Sequence, residues 1–219
     1  MAYVRFLGHA AFEIELSGKL IYIDPWIEGN PQAAVKLDDI KRADYIFVTH
    51  DHGDHLGNAV EISKKTGAPV VTLYEIALDV ERKGGNSIGA NIGGPIKLEG
   101  ITAYFTPAFH TGRCAGVVIK GKEGTIYHAG DTGVFGDMAL ISELYKPDIA
   151  LLPIGGHFTM GPFEAAKAVE LLKPKVVIPM HYNTFPVIRA DPYEFEKLVK
   201  EKVPDVKVVI LKPGEKYEF

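Results

Sequence analysis

Apolar residues recur along this chain in short blocks separated by turn residues, and the blocks change character from one end of each half to the other. Residues 3–6, 11–16 and 20–23 read as strands, the second and third joined across Ser17-Gly18 in a hairpin. Asp24-Pro25-Trp26 stops the third, because proline cannot continue a ladder. Residues 29–32 then read as a loop that forms one wall of a cleft, and 38–43 as a short helix. A buried strand at 45–48 is followed by a helix over 56–66 that ends near Gly67, a strand at 69–72, and a helix at 75–83 stopped by Gly84-Gly85. The glycine-rich stretch 89–95 is assigned no element.

The second half repeats this order. Strands at 101–105, 117–120 and 125–128 come first, the last two flanking a turn at 121–124. A helix at 138–145, a buried strand at 149–152, a helix at 162–172, a strand at 176–179, a helix at 192–202 and a closing strand at 206–211 follow. Pro162 stands at a favoured first-turn position, and Phe163, Ala166, Val169 and Leu172 mark an apolar helix face. Strands first, then alternating units, in two halves, argue for two sheets packed together with helices outside, an α/β (α+β) arrangement. No linker or low-complexity segment interrupts the chain, so a single domain over 1–219 is expected.

Composition narrows the function classes. With 47% apolar and 24% charged residues, the 219-residue chain reads as a globular protein with a full core. A net charge of −4 provides no basic footprint of the kind nucleic-acid binders carry. Cys114 is alone, which excludes an internal disulfide and fits a reducing cytoplasm. Charged residues interrupt the first twenty positions, so no signal peptide is expected, and no apolar run approaches the roughly 20 residues that span a bilayer. The single glutamine, Gln32, is a slight pointer to a thermophilic source. The expected partner is a small-molecule substrate, with no membrane and no nucleic acid; association with copies of itself is left open.

Chemistry concentrates in Thr49-His50-Asp51-His52-Gly53-Asp54-His55, directly after the buried strand at 45–48. In a strand-to-helix loop alternate residues can face one spot. His50 and His52 can therefore address one metal ion while Asp54 and His55 reach past it to another. Imidazole suits zinc, iron, copper or nickel, and carboxylate extends the range to harder ions. The bland alternative is a polar turn that happens to be rich in histidine.

His50-x-His52-x-Asp54-His55 resembles the HxHxDH signature of the metallo-β-lactamase superfamily, and the resemblance runs on in order through His110, Asp131 and His181, each just past an apolar run. Gly8-His9-Ala10-Ala11-Phe12, Pro153-Ile154-Gly155-Gly156 and Pro179-Met180-His181-Tyr182 are similar to an uncharacterised branch of metal-dependent hydrolases, itself similar to ascorbate-6-phosphate lactonases. The resemblance implies a four-layer αββα sandwich of two mixed sheets with metals at one edge. It implies that His50, His52 and His110 hold one ion, that Asp54, His55 and His181 hold a second, and that Asp131 bridges them. Two divalent ions are implied, zinc first, with manganese, iron or nickel as alternatives, and a bridging hydroxide as nucleophile. Asp54 is then both ligand and catalytic residue.

The remaining candidates have weaker anchors. Asp24 matches a position that supports the site by hydrogen bonding instead of coordination. His9 either contributes similarly, touches substrate, or simply holds its turn. His157, in a glycine-bounded loop, is a candidate proton donor or oxyanion stabiliser, with a bystander role as the alternative. His128 has no ligand slot and is expected to be buried at a strand end. Cys114 is expected to be a packing residue. Arg113 and Tyr182 either bind a substrate anion or are solvated.

The favoured function is hydrolysis of a small ester, lactone or phosphodiester. A nuclease of the same superfamily is the alternative, disfavoured by the acidic balance. A diiron redox role is disfavoured by His52, where such members carry Glu, and a non-enzymatic metal sensor by the complete ligand set.

Overall fold

In the computed structural model, which describes residues 2–219, the apolar blocks become two seven-stranded sheets. The first half supplies β1 (Tyr3–Gly8), β2 (Ala11–Leu16), β3 (Lys19–Ile23), β4 (Tyr45–Phe47), β5 (Val70–Leu73) and β6 (Ser87–Ala90), with helices α1 (Gly53–Leu56), α2 (Ala59–Thr66) and α3 (Tyr74–Arg82). The second half supplies β7 (Pro95–Leu98), β8 (Ile101–Pro107), β9 (Ala115–Lys120), β10 (Thr125–His128), β11 (Ile149–Pro153), β12 (Val176–Met180), β13 (Lys207–Val208) and β14 (Lys216–Glu218). Its helices are α4 (Met138–Tyr145), α5 (Pro162–Leu172) and α6 (Pro192–Lys202). Strand order is β14-β1-β2-β3-β4-β5-β6 in one sheet and β13-β12-β11-β10-β9-β8-β7 in the other.

Both sheets begin antiparallel and continue parallel. The change falls at β3 in the first and at β10 in the second. Parallel strands are buried on both faces, which is why they read as unbroken apolar runs. In the β4 segment Phe47 points into the inter-sheet core, while its neighbours Ile46 and Val48 point out toward α2. The inter-sheet core joins Phe6, Phe12, Ile14 and Phe47 to Phe105, Val117, Ile126, Leu151 and Ile178. The outer face of the second sheet packs under α4, α5 and α6 through Tyr127, Leu152, Val177, Met138, Val169 and Phe195. The order of layers is therefore helix, sheet, sheet, helix, the αββα sandwich the resemblance implies.

Four local expectations need correction. The helix at 38–43 shrinks to a 3-10 turn at Leu37–Asp39, because Ile40 turns extended (φ −75°, ψ 100°) and is buried in the core beside the first sheet. The helix at 56–66 is two helices, and its first turn already contains Asp54 and His55. It breaks at Gly57, whose backbone is non-helical (φ 42°, ψ −122°) and lies so close to that of Trp26 that a Cβ would collide, so only glycine fits. Asn58 then turns back, its Oδ1 accepting from the amides of Ile27 and Glu28. The closing strand contributes only Lys207–Val208. Leu211 leaves for the inter-sheet core and β14 crosses to pair with β1. Phe163 is 63% exposed, and α5 buries Ala165, Ala166, Ala168, Val169 and Leu172 instead. The unassigned stretch 89–95 holds the ends of β6 and β7, the two sheet edges.

β1, β3 and β4 run one way in the first sheet, and β8, β10, β11 and β12 run one way in the second. Their carboxyl ends gather His9, Asp24, His50, His110, Asp131 and His181 at one edge of the sandwich, the usual place for a site in an open α/β sheet.

Candidate metal centre

Two groups of donors form at that edge. The side chains of His50, His52 and His110 bring ring nitrogens within 4.8 Å of one another, and His9, His55 and His181 do the same with a carboxylate oxygen of Asp54. Asp131 stands between the groups. Its Oδ2 lies 3.8 Å from His50 Nε2, 3.6 Å from His110 Nε2 and 3.2 Å from His181 Nε2, and its Oδ1 lies 3.2 Å from His55 Nε2. One carboxylate thus faces four imidazoles drawn from both groups. Gly130 makes this placement possible: it has φ 61°, and a Cβ there would sit 2.8 Å from the Ala115 carbonyl.

The hydrogen-bond network fixes which nitrogens are free. Asp24 is fully buried and its carboxylate only accepts. It takes a hydrogen bond from Thr49 Oγ1 at 2.6 Å and from His55 Nδ1 at 2.7 Å. Because the Thr49 hydroxyl hydrogen is already given to Asp24, His50 Nδ1 must donate to Thr49 Oγ1 across 3.0 Å. His50 therefore carries its hydrogen on Nδ1 and turns a bare Nε2 toward Asp131, and His55, its Nδ1 hydrogen given to Asp24, turns its Nε2 the same way. These two Nε2 atoms, Asp131 Oδ1 and both ring nitrogens of His181 are buried without a hydrogen-bond partner. Buried polar atoms are normally satisfied. Convergent unsatisfied imidazole and carboxylate lone pairs are what a divalent cation takes, so the residues fit a metal.

Electrostatics agree. Burial alone would raise the Asp131 carboxyl, but His55 and His181 hold it well below the usual carboxylate range. Burial would lower His55, yet the Asp131 and Asp24 carboxylates hold it well above the ordinary histidine value. A position that favours positive charge so strongly favours a metal cation equally. His50 is pushed down to about 3 by burial and by the His55 charge, so its Nε2 stays unprotonated.

Of the supporting candidates, His9 is fully buried at φ 59°, with Nε2 3.1 Å from Asp54 Oδ2 and Nδ1 2.8 Å from Thr184 Oγ1. Its ring also lies 4.1 Å from that of His181. His157 is exposed at φ 60°, its ring edge-on to Phe158, and it does not line the cleft. The loop around it is tied down more than its glycines suggested: Gly156 N donates to the Met160 carbonyl, and Met160 N to that of Thr132. His128 is fully buried with Nε2 donating to the Ala10 carbonyl and Nδ1 accepting from Gly130 N. Cys114 Sγ donates to the Asp131 carbonyl, and burial pushes its thiol far up. Arg113 is held by Asp51 and Asp79 instead of facing the cleft. Burial pushes the Tyr182 hydroxyl up to about 12, and its ring packs against the core under α5.

Sequence reasoning missed Thr49, Gln32 and Thr184. Thr49 relays Asp24 to His50. Gln32 Oε1 accepts from His9 N at 3.0 Å and lies 3.2 Å from Thr184 Oγ1, whose hydroxyl donates to His9 Nδ1 and so leaves His9 Nε2 to donate to Asp54. Thr49 stands beside the histidine motif and had a local signal, whereas Gln32 and Thr184 lie 152 positions apart and had none. The cleft itself encloses about 260 Å3 and is lined by His52, Asp54, His110, Thr111, Asp131, Phe158 and His181. A larger concavity of about 660 Å3 lies among Lys120, Lys146, Lys173 and Lys175, where no ligand histidine stands.

Comparison with known proteins agrees with this geometry. Residues 19–182 match the family model described as a β-lactamase superfamily domain. A UPF0173 metal-dependent hydrolase of Thermofilum pendens is 60% identical, with 100% of both chains covered. A protein of the same designation from Staphylothermus marinus is also 60% identical over 100% of both chains. Igni18, described as a metallo hydrolase of Ignicoccus hospitalis, superposes with a TM-score of 0.92 at 45% identity, covering 100% of this chain and 99% of its own. The chain belongs to the metallo-β-lactamase superfamily, within its UPF0173 metal-dependent hydrolases.

Proposed function

We propose that this protein hydrolyses a small ester, lactone or phosphodiester with two divalent ions, zinc or manganese, held at the edge of the sandwich. His50, His52 and His110 would hold one ion, Asp54, His55 and His181 the other, with Asp131 shared. The observation that carries this reading is the Asp131 carboxylate, facing imidazoles of both groups at 3.2–3.8 Å. Divalent ions bound there supply hydroxide near neutrality and polarise the oxygen of the scissile group.

This chain's own residues do the rest. Asp24 keeps the Nδ1 protons of His55 and, through Thr49, of His50 in place, so the opposite nitrogens stay available. His9 holds the Asp54 carboxylate by its Oδ2, leaving Oδ1 free. No serine or cysteine nucleophile is required, and the Cys114 thiol, pushed up by burial, is not one.

Protein stripped with chelator and reloaded with zinc or manganese should approach two ions per chain by elemental analysis. It should then hydrolyse at least one member of a phosphodiester, lactone and thioester panel. A limit of one ion, or inertness of the loaded protein across all three classes, would overturn the reading.

A further inference from the structure

Three loops joined to one another at this edge of the sandwich each carry an aromatic ring, and one of these, Phe158, lines the cleft. The loop after β8 carries Phe109, the loop after β10 carries Phe135, and the loop after β11 carries Phe158. Backbone hydrogen bonds join them: Gly133 N donates to the Phe109 carbonyl, Phe109 N to Thr132 Oγ1, and Met160 N to the Thr132 carbonyl. Phe109 and Phe135 are in ring contact at 5.2 Å. Phe158 follows a tight turn in which its own amide donates to the Gly156 carbonyl at 2.6 Å. This turn sets Phe158 into the wall of the cleft, with its backbone against His110.

Phe158 is 52% exposed and Phe109 66% exposed. Apolar rings left open beside convergent polar groups are the ordinary composition of a small-molecule site. Equally telling is the charge of the lining. Among the described residues that line the cleft none is Lys or Arg. The nearby Arg113 is committed to Asp51 and Asp79. Recognition of a phosphate or carboxylate tail normally enlists such a cation.

We propose that Phe158 is the specificity-determining wall of the site, and that the substrate is an uncharged carbonyl compound with an aryl or alkyl group. An ester, thioester or lactone meets that description; a phosphodiester or a compound with an anionic tail does not. This narrows the hydrolase reading above and rests on it. The reacting carbonyl sits at the donors around Asp131, and the non-reacting group lies on Phe158. The small cleft, about 260 Å3, accommodates a compact molecule of this kind.

Matched hydroxamates separate the tail from the chemistry, because both present the same metal-binding head. Calorimetry on the zinc-loaded protein with 4-phenylbutyrohydroxamate and with the monohydroxamate of succinate should show the phenyl compound binding at least about tenfold tighter. Phe158→Ala should remove most of that difference. Phe163→Ala, which removes a comparably exposed ring that does not line the cleft, should leave both affinities unchanged. Tighter binding of the succinate compound, an equal loss for both compounds in Phe158→Ala, or binding of neither would overturn the proposal. Selective binding of the phenyl compound by a protein inert on every ester, lactone and thioester would leave the wall standing and remove the hydrolase reading.

Discussion

The two donor groups either side of Asp131 are built to different standards. In the group of Asp54, His55 and His181, His55 and His181 are buried, Asp54 is half-buried at the cleft, and Asp54 and His55 are hydrogen-bonded from behind by His9 and Asp24. Behind Asp54 runs the chain His9, Thr184 and Gln32, and behind His55 stands Asp24. His50, His52 and His110 are supported on one side only. His50 is buried and tied to Thr49, but His52 and His110 are half-buried cleft-lining residues whose nearest polar contact is each other, at 3.3 Å. Outer hydrogen bonds orient a ligand and raise its affinity for metal. The comparison teaches that the Asp54, His55 and His181 group is the better preorganised. Two of its three members are held from behind against one of three in the outer group of His50, His52 and His110, while both groups open onto the same cleft.

The largest test of this comparison is to remove its pivot. Asp131→Ala should release metal from both groups and lower kcat/KM by more than the roughly 10–100-fold typical of a supporting residue. Elemental analysis beside kinetics checks this, and unchanged metal content would contradict a shared ligand.

Asp24→Asn comes next. Asp24 serves His55 directly and His50 through Thr49, so both groups should weaken, each by about 10–100-fold in metal affinity. Thr49→Val should weaken only the outer group, which makes the pair of variants a direct measure of the asymmetry.

Graded chelation separates the groups without mutation. The first equivalent of metal should leave at least about tenfold more readily than the second, because two members of one group are held by supporting hydrogen bonds and only His50 is in the other. In His110→Ala the readily lost equivalent should disappear, while in His181→Ala the tightly held one should. Equal release rates in the parent protein would erase the distinction.

The smallest expected effect belongs to His157. Its exposed ring rests on Phe158 and does not line the cleft. His157→Asn should keep both metals and lose less than tenfold in rate. A loss of roughly a hundredfold that shrinks as leaving groups become more acidic would assign it the role of proton donor.

The sequence by itself determined much of the scaffold. Unbroken apolar runs marked β4, β11 and β12, because strands buried on both faces admit few polar residues. Alternating and hairpin patterns marked β1 to β3. Runs at β4, β10 and β12 placed His50, Asp131 and His181 just past strand ends, so the candidate ligand stations were legible from local spacing and family order together. Short edge elements were not legible: β6, β7 and β14 carry too few apolar residues for a period to show.

Tertiary structure alone decided how those stations are supported. Asp24 reaches Thr49 and His55 across 25 and 31 positions, and Thr184 reaches Gln32 across 152. Such contacts depend on which strand ends the sheet topology brings together. The break at Gly57 is likewise set by the Trp26 backbone pressing from another loop, which no pattern within residues 56–66 records. The aromatic wall has the same origin. Phe109 and Phe135 are unremarkable along the chain and meet only because β8 and β10 end at the same edge of their sheet, where the loop after β11 sets Phe158 into the cleft. Local residue patterns encode strands and ligand types through short-range sterics and burial; contacts between distant loops follow from the packing of the two sheets.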